Sequence, residues 1–139
     1  MSVGRPLLEV ERLRVEFQTR RGTQVAVDEV SFGIDAGEIL GVVGESGAGK
    51  SVTGSAIIGL IDPPGRVAGG EIVLDGQRID NLPHAAMRAL RGRRIGAIFQ
   101  DPLTSLNPLY RVGDQLVETI CAHLGLDAAA ARRRAVDLL

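Results

Sequence analysis

The sequence predicts an α/β fold in which an antiparallel β region leads into a strand, a glycine-rich loop and a helix. Three observations carry this expectation. Apolar residues alternate between Leu8 and Ile34, an apolar run at Ile39-Leu40-Gly41-Val42-Val43 precedes a glycine-rich stretch, and helical spacing takes over after Asp114. The glycine-rich stretch, Gly44-Glu45-Ser46-Gly47-Ala48-Gly49-Lys50-Ser51, fits the phosphate-binding pattern G-x-x-x-x-G-K-[ST] in the strand-to-helix context that pattern requires.

Taken in order, Leu8 and Val10, then Leu13, Val15 and Phe17, alternate as half-buried strands do. Arg20-Arg21-Gly22-Thr23 is a polar turn, after which Val25, Val27, Val30, Phe32 and Ile34 resume the alternation. Asp35-Ala36-Gly37-Glu38 turns the chain into the apolar run 39–43, which reads as a buried strand. A helix is expected over Val52 to Leu60, ended by Asp62-Pro63-Pro64-Gly65, where proline forbids continuation. Glu71-Ile72-Val73-Leu74 reads as a short strand, closed by Asp75-Gly76 and returning through Arg78 and Ile79. An apolar strand ending in an acid is also the pattern of a magnesium-holding Walker B strand. Gly76 stands where a second carboxylate would follow, however, and the flanking Gly69-Gly70 and Asp75-Gly76 favour a hairpin.

Beyond the hairpin, Pro83 to Leu90 makes a short helix with proline in its first turn. Ile95-Gly96-Ala97-Ile98-Phe99 reads as another strand, ending at Gln100-Asp101-Pro102, and Leu103 to Tyr110 as a loop punctuated by Asn107-Pro108. Leu116, Val117, Ile120 and Leu124 fall at helical spacing and Gly125 stops that helix. Asp127 is placed to cap a second helix, rich in alanine and arginine, running to Leu139.

The residue types of the loop have a physical reason. Glycine admits backbone angles that other residues resist, so main-chain N–H groups can close around phosphate oxygens. The helix that follows adds unpaired N–H donors and the positive end of its dipole. Lys50 would reach the β- and γ-phosphates and the Ser51 hydroxyl would hold Mg²⁺. Lys50 is also the only lysine among 16 basic residues; the other 15 are arginine. A compact, rotatable ammonium thus stands at the one place where it suits the site better than a planar guanidinium.

Composition sets outer bounds. With 139 residues the chain is long enough for one domain with a core, and its 45% hydrophobic and 24% charged residues are ordinary globular values. A net charge of −1 gives no reason to expect nucleic acid as a partner. The basic clusters Arg91-Gly92-Arg93-Arg94 and Arg132-Arg133-Arg134 read as solvated faces. The single cysteine, Cys121, excludes an internal disulfide and lies in a helical run where a small buried side chain is expected. His84 and His123 have no partner at metal-ligand spacing, and neither a membrane-spanning run nor an apolar leader segment is present. These features suggest a cytosolic chain, or one lying on a membrane from its cytosolic side.

Together these segments resemble the ATP-binding subunit of ATP-binding-cassette (ABC) transporters. Three stretches, Ala26-Val27-Asp28-Glu29-Val30-Ser31-Phe32, Gly44 to Val52 and Phe99-Gln100-Asp101-Pro102-Leu103-Thr104-Ser105-Leu106-Asn107-Pro108, are similar to the bacterial importers of dipeptides, oligopeptides and nickel. The resemblance spans Leu8 to Leu139. It implies a P-loop nucleoside triphosphate hydrolase fold: an antiparallel β piece over 1–36, a partial RecA-like α/β core over 37–102, and the start of a helical subdomain over 103–139. It implies ATP and Mg²⁺ as cofactors, held by Gly44, Glu45, Ser46, Gly47, Ala48, Gly49, Lys50, Ser51 and Val52. Phe17 falls where the family sets an aromatic ring against adenine; a core strand aromatic is the rival reading. Gln100 matches the glutamine that touches Mg²⁺ and the attacking water; a polar residue merely ending a strand is its rival.

The partners so implied are transmembrane permease subunits meeting the surface from Leu103 onward, a second ATP-binding subunit, and an extracytoplasmic solute-binding protein. The place so implied is the cytoplasmic face of the bacterial inner membrane. The 139 residues contain no Leu-Ser-Gly-Gly-Gln-like signature, no Walker B strand followed by a glutamate, and no switch histidine. In the family all three follow the region that this sequence resembles. The expectation is therefore the N-terminal part of such a subunit, binding nucleotide without significant hydrolysis. A non-catalytic remnant and a different P-loop enzyme, such as a small kinase with Arg91 to Arg94 as its lid, are the alternatives.

Overall fold

The computed structural model describes residues 5–100 and 105–139. The chain forms two compact units, residues 1–89 and 90–139.

The first unit is built on strands β1 (Leu8–Thr19), β2 (Gly22–Ile34), β3 (Gly65–Leu74) and β4 (Gln77–Arg78), all antiparallel in the order β2-β1-β3-β4. Helices α1 (Lys50–Ile57) and α2 (His84–Leu90) accompany them. The alternation read from the sequence leaves Val10, Leu13, Val15, Val27 and Ile72 of the sheet buried, and Ile79, Ala56 of α1 and Met87 of α2 are buried as well. Burying each of the large side chains contributes roughly 1.5–3 kcal/mol.

The alternation is not strictly two-residue, and the irregularity has a cause. Val10 is followed by Leu13, and Val27 by Val30, each a step of three. The ladder shifts register at those steps, against β2 between Val10 and Leu13 and against β3 between Glu11 and Arg14. Arg12 (φ 44°) and Glu29 (φ 51°) take up the extra residues of bulges in β1 and β2, and Gly70 (φ 86°) of β3 faces the β1 bulge. Only glycine fits at position 70, since a Cβ there would lie 2.4 Å from the Arg12 carbonyl oxygen.

Ion pairs stitch the sheet. Arg14 binds Glu16 at 2.9 Å and also Asp28, while Arg66 reaches Glu16 from β3 at 3.0 Å. Arg78 pairs with Glu71 and with Asp80, whose carboxylate also accepts the Ile72 N–H at 2.8 Å. Burial acts to raise the Asp80 carboxyl, but the Arg78 guanidinium and the Ile72 N–H outweigh it and hold it below the usual carboxylate range. The expected hairpin is present: Asp75 (φ 49°) and Gly76 (φ 78°) make its two-residue turn, so Asp75 closes a turn between neighbouring strands.

Three expectations for this unit are corrected. The run 39–43 joins no ladder, and Ile39 and Val43 are 96% and 94% exposed. A run apolar on both faces needs strands on its flanks and layers above and below, and none covers it among the described residues. The helix after the loop ends at Ile57 and not at the prolines, because Gly59 (φ 65°) breaks it and the Leu60 N–H turns back to Ser55. The antiparallel sheet also takes β3 and β4 from beyond residue 36, with β3 starting at Gly65.

The second unit holds α3 (Val112–Leu124) and α4 (Ala128–Asp137). Ile120 packs on Ala131 and Ala135, flanked by Leu116, Val117 and Cys121, so Cys121 lies in the expected helical run but is half-buried where a buried side chain was expected. Gly125 (φ 63°) ends α3, and the Asp127 carboxylate caps α4 by accepting the Ala130 N–H at 2.8 Å. The expected strand Ile95–Phe99 is replaced by a single bridge between Arg91 and Ile95, and Ile98 is fully exposed. Before α3 the Gln115 side chain braces the loop, accepting the Asn107 N–H at 2.8 Å and donating to the carbonyls of Asn107 and Tyr110. Among the described residues no helix is long and apolar enough to cross a membrane.

Candidate functional site

The glycine loop sits where its sequence places it, between run 39–43 and the first turn of α1. Gly49 is the hinge of the arrangement. Its left-handed conformation (φ 84°) ends the loop and starts the helix at Lys50, and no side chain caps that helix. A Cβ on Gly49 would stand 2.6 Å from the Ala26 carbonyl oxygen and 3.3 Å from a Val27 methyl, so the loop is seated directly on β2. Thr53 locks the seat from the helix side, its N–H and hydroxyl both donating to the Gly49 carbonyl at 2.8 and 3.0 Å.

Lys50 folds back over the loop. Its ammonium donates to the carbonyls of Gly44 and Glu45, each at 2.7 Å, which sets the charge above the loop's own backbone. Inside the loop the Ala48 N–H closes a turn on Glu45, and Gly47 (φ 86°) has nothing within 4 Å of the space a Cβ would fill. Among the described residues the N–H groups of Lys50, Ser51 and Val52 find no protein acceptor, and the Ser51 side chain is exposed. Uncapped helix donors, a positive dipole end and a fixed ammonium form a donor set suited to a polyanion. The residues present thus fit a nucleotide polyphosphate.

Phe17 belongs to the same unit. It pairs with Gln24 of β2 and with Gly65 of β3, and it is half-buried. Gln24 lies two residues along β2 from Ala26, where the loop rests, which is roughly 7 Å of strand. The sheet therefore presents Phe17 and the phosphate loop at the same end of β2. A cavity of about 300 Å³ lies between Phe32 and Ile34 of β2, Val42 and Val43, and Thr53 and Ile57 of α1.

Gln100 lies in the second unit, in an exposed bend. Asp101 to Thr104 of the segment that follows lie outside the described residues, and Ser105 to Pro108 are exposed. Beyond them Asn107, Tyr110, Asp114, Gln115 and Glu118 line a depression of about 220 Å³.

A family model described as ABC transporter matches residues 27–138, four-fifths of the chain. The chain belongs to the ABC transporter family. Curated relatives share its wording closely. The dipeptide transport ATP-binding protein DppD of Escherichia coli (strain K12) is 46% identical over 133 residues, 96% of this chain and 41% of the relative. The oligopeptide transport ATP-binding protein OppD of Salmonella typhimurium is 48% identical over 133 residues, 96% of this chain and 39% of its own length. OppD of Bacillus subtilis (strain 168) is 48% identical over 134 residues, covering 37% of that protein. The chain thus spans about two-fifths of the length of the ABC proteins it matches.

The fold agrees. A dimeric ATP-binding cassette, MJ0796, solved in a post-hydrolysis state bound to ADP and Pi, superposes with a TM-score of 0.74 at 20% identity, over 94% of this chain and 54% of that one. The fold is that of a P-loop nucleoside triphosphate hydrolase, an ABC ATPase in partial form. The loop is legible in the sequence, and its seat is not. Ala26, Val27 and Thr53, which hold Gly49 in place, read in the sequence only as strand and helix residues.

Proposed function

We propose that the protein is the ATP-binding component of an ABC importer for peptides or a related small solute. The observation that carries this reading is the Gly49-to-Lys50 junction, an uncapped helix start with the Lys50 ammonium held over the loop. The main-chain donors of Gly44 to Val52 would hold the α- and β-phosphates, Lys50 the β- and γ-phosphates, and the Ser51 hydroxyl Mg²⁺. The metal would supply charge neutralisation on the phosphate oxygens. Phe17 would stack on adenine, and Gln100 would contact Mg²⁺ and the attacking water. The likeness to DppD and OppD supports a peptide-type cargo.

In this reading the partners are permease subunits, a second ATP-binding subunit and a solute-binding protein, and the place is the cytoplasmic face of the inner membrane. By the same reading the chain by itself binds MgATP with negligible turnover, because its sequence has no segment like the family's Walker B strand followed by a glutamate, which would orient and activate water.

Calorimetric titration of the purified chain with ATP, with and without Mg²⁺, tests the site. Saturable binding that Lys50→Ala weakens by about tenfold or more is expected, because a charge-assisted contact to phosphate is lost. Absence of binding at millimolar ATP would refute it. Phosphate release abolished by Lys50→Ala would overturn the claim of negligible turnover.

A further inference from the structure

Gly65, the cross-strand neighbour of Phe17, has no role in the loop chemistry, and its surroundings single it out. A Cβ built on it would lie 2.6 Å from Phe17 Cε1, 2.8 Å from Ile61 Cγ2 and 3.0 Å from the Asp62 carbonyl oxygen. The first two are closer than side-chain carbons come to such neighbours, and the third is at the tight end of real contacts. The aromatic ring therefore lies directly against the glycine backbone, with Ile61 beside it, and Phe17 as a whole is half-buried.

The surrounding backbone cannot yield. The Gly65 N–H donates to the Asp62 carbonyl at 2.9 Å, closing the turn, and the Gln18 N–H donates to the Pro64 carbonyl at 3.1 Å, tying that turn to β1. Phe17 and Gly65 are themselves ladder partners, so strand spacing is fixed at this point. The ring is the movable member, since it turns about two single bonds while the backbone around it is held by these bonds. A side chain at 65 would displace the ring from the place it holds against the strand.

We propose that Gly65 is a positioning residue for nucleotide recognition: by having no side chain it seats the Phe17 ring and leaves one face of it open to an adenine. The proposal rests on the reading of Phe17 as the base-stacking residue. It predicts that a methyl group at position 65 acts on the base and not on the phosphates. Ring-to-base stacking depends on offset and parallel approach, so a displaced ring loses contact even though it remains in the chain.

The test compares two ligands that share the phosphate chain, ATP and inorganic tripolyphosphate, in the full chain by calorimetric titration. Phe17→Ala is expected to weaken ATP about tenfold, as loss of base stacking does, and to leave tripolyphosphate unchanged. Gly65→Ala is expected to weaken ATP about fivefold, again sparing tripolyphosphate, and to add nothing further in the Phe17→Ala background. If Phe17→Ala leaves the ATP-to-tripolyphosphate ratio unchanged, the stacking reading itself fails. If Phe17→Ala lowers that ratio and Gly65→Ala does not, the stacking survives and the role of Gly65 is refuted. Should Gly65→Ala fold poorly, Gly65→Ser with Ile61→Ala, which relieves one of the three contacts, takes its place. Equal weakening of both ligands in that variant also refutes the proposal, because a merely structural role moves them together.

Discussion

The seat of the phosphate loop gives a quantitative test through two glycines two residues apart, Gly47 and Gly49. Both have left-handed backbones, φ 86° and φ 84°. Replacing either by alanine costs about 1–2 kcal/mol for that conformation alone. There the likeness ends. A methyl at 47 meets nothing within 4 Å, whereas a methyl at 49 stands 2.6 Å from the Ala26 carbonyl oxygen, where ordinary contact begins near 3.4 Å. That oxygen belongs to β2 and cannot retreat without disturbing the ladder, so the loop must lift. Forcing a methylene-sized group into a packed position costs about 1–3 kcal/mol more. Urea unfolding should therefore show Gly47→Ala losing about 1–2 kcal/mol and Gly49→Ala about 2–5 kcal/mol. Losses within about 0.5 kcal/mol of each other would refute the seat on β2, since that is the scatter of independent sites.

Three further outcomes follow from other parts of the chain. Asp80 is held below the usual carboxylate range, so its contribution to stability is full above its unfolded pKa of about 3.9 and is lost as pH falls through the lower folded value. Acid titration of unfolding free energy should steepen below about pH 4, and Asp80→Asn should flatten that slope; an unchanged slope would show that Asp80 is not the titrating group. Asp127→Ala removes the cap of α4 and should cost about 1 kcal/mol, read as faster amide exchange over residues 128–137 with β1 and β2 unaffected. Gln115→Ala frees three hydrogen bonds that brace the loop before α3, and should speed amide exchange at Asn107 while leaving ATP affinity unchanged.

Much of this architecture was legible in the sequence, and the reasons differ by element. The hairpin of β1 and β2 and the pair α3 and α4 are local, so periodicity at Leu8–Ile34 and Leu116–Leu124, with Gly125 and Asp127 as punctuation, was sufficient. The loop was legible because its chemistry is written in consecutive residues. Run 39–43 and Ile95–Phe99 were misread for one shared reason. An unbroken apolar run reports the surroundings a strand would need, and parallel neighbours come from distant segments, so the pattern is silent on whether those neighbours are present. The first half of β3 was missed because Gly65, Gly69 and Gly70 look like breakers. In the sheet Gly65 and Gly70 are the places where a ring and a bulged backbone come too close for a side chain. The seat under Gly49 was illegible because a carbonyl oxygen of Ala26 leaves no mark on residue choice at position 26.

The solitary Lys50 has a practical consequence. Because the other 15 of the 16 Lys and Arg side chains are guanidinium groups, acylating reagents meet one ε-amine per chain, and it is the one bonded to the carbonyls of Gly44 and Glu45. A single added mass on the loop peptide is thus a direct chemical reporter of that amine. Protection of it by a bound polyanion can be followed by mass spectrometry without any substitution in the protein.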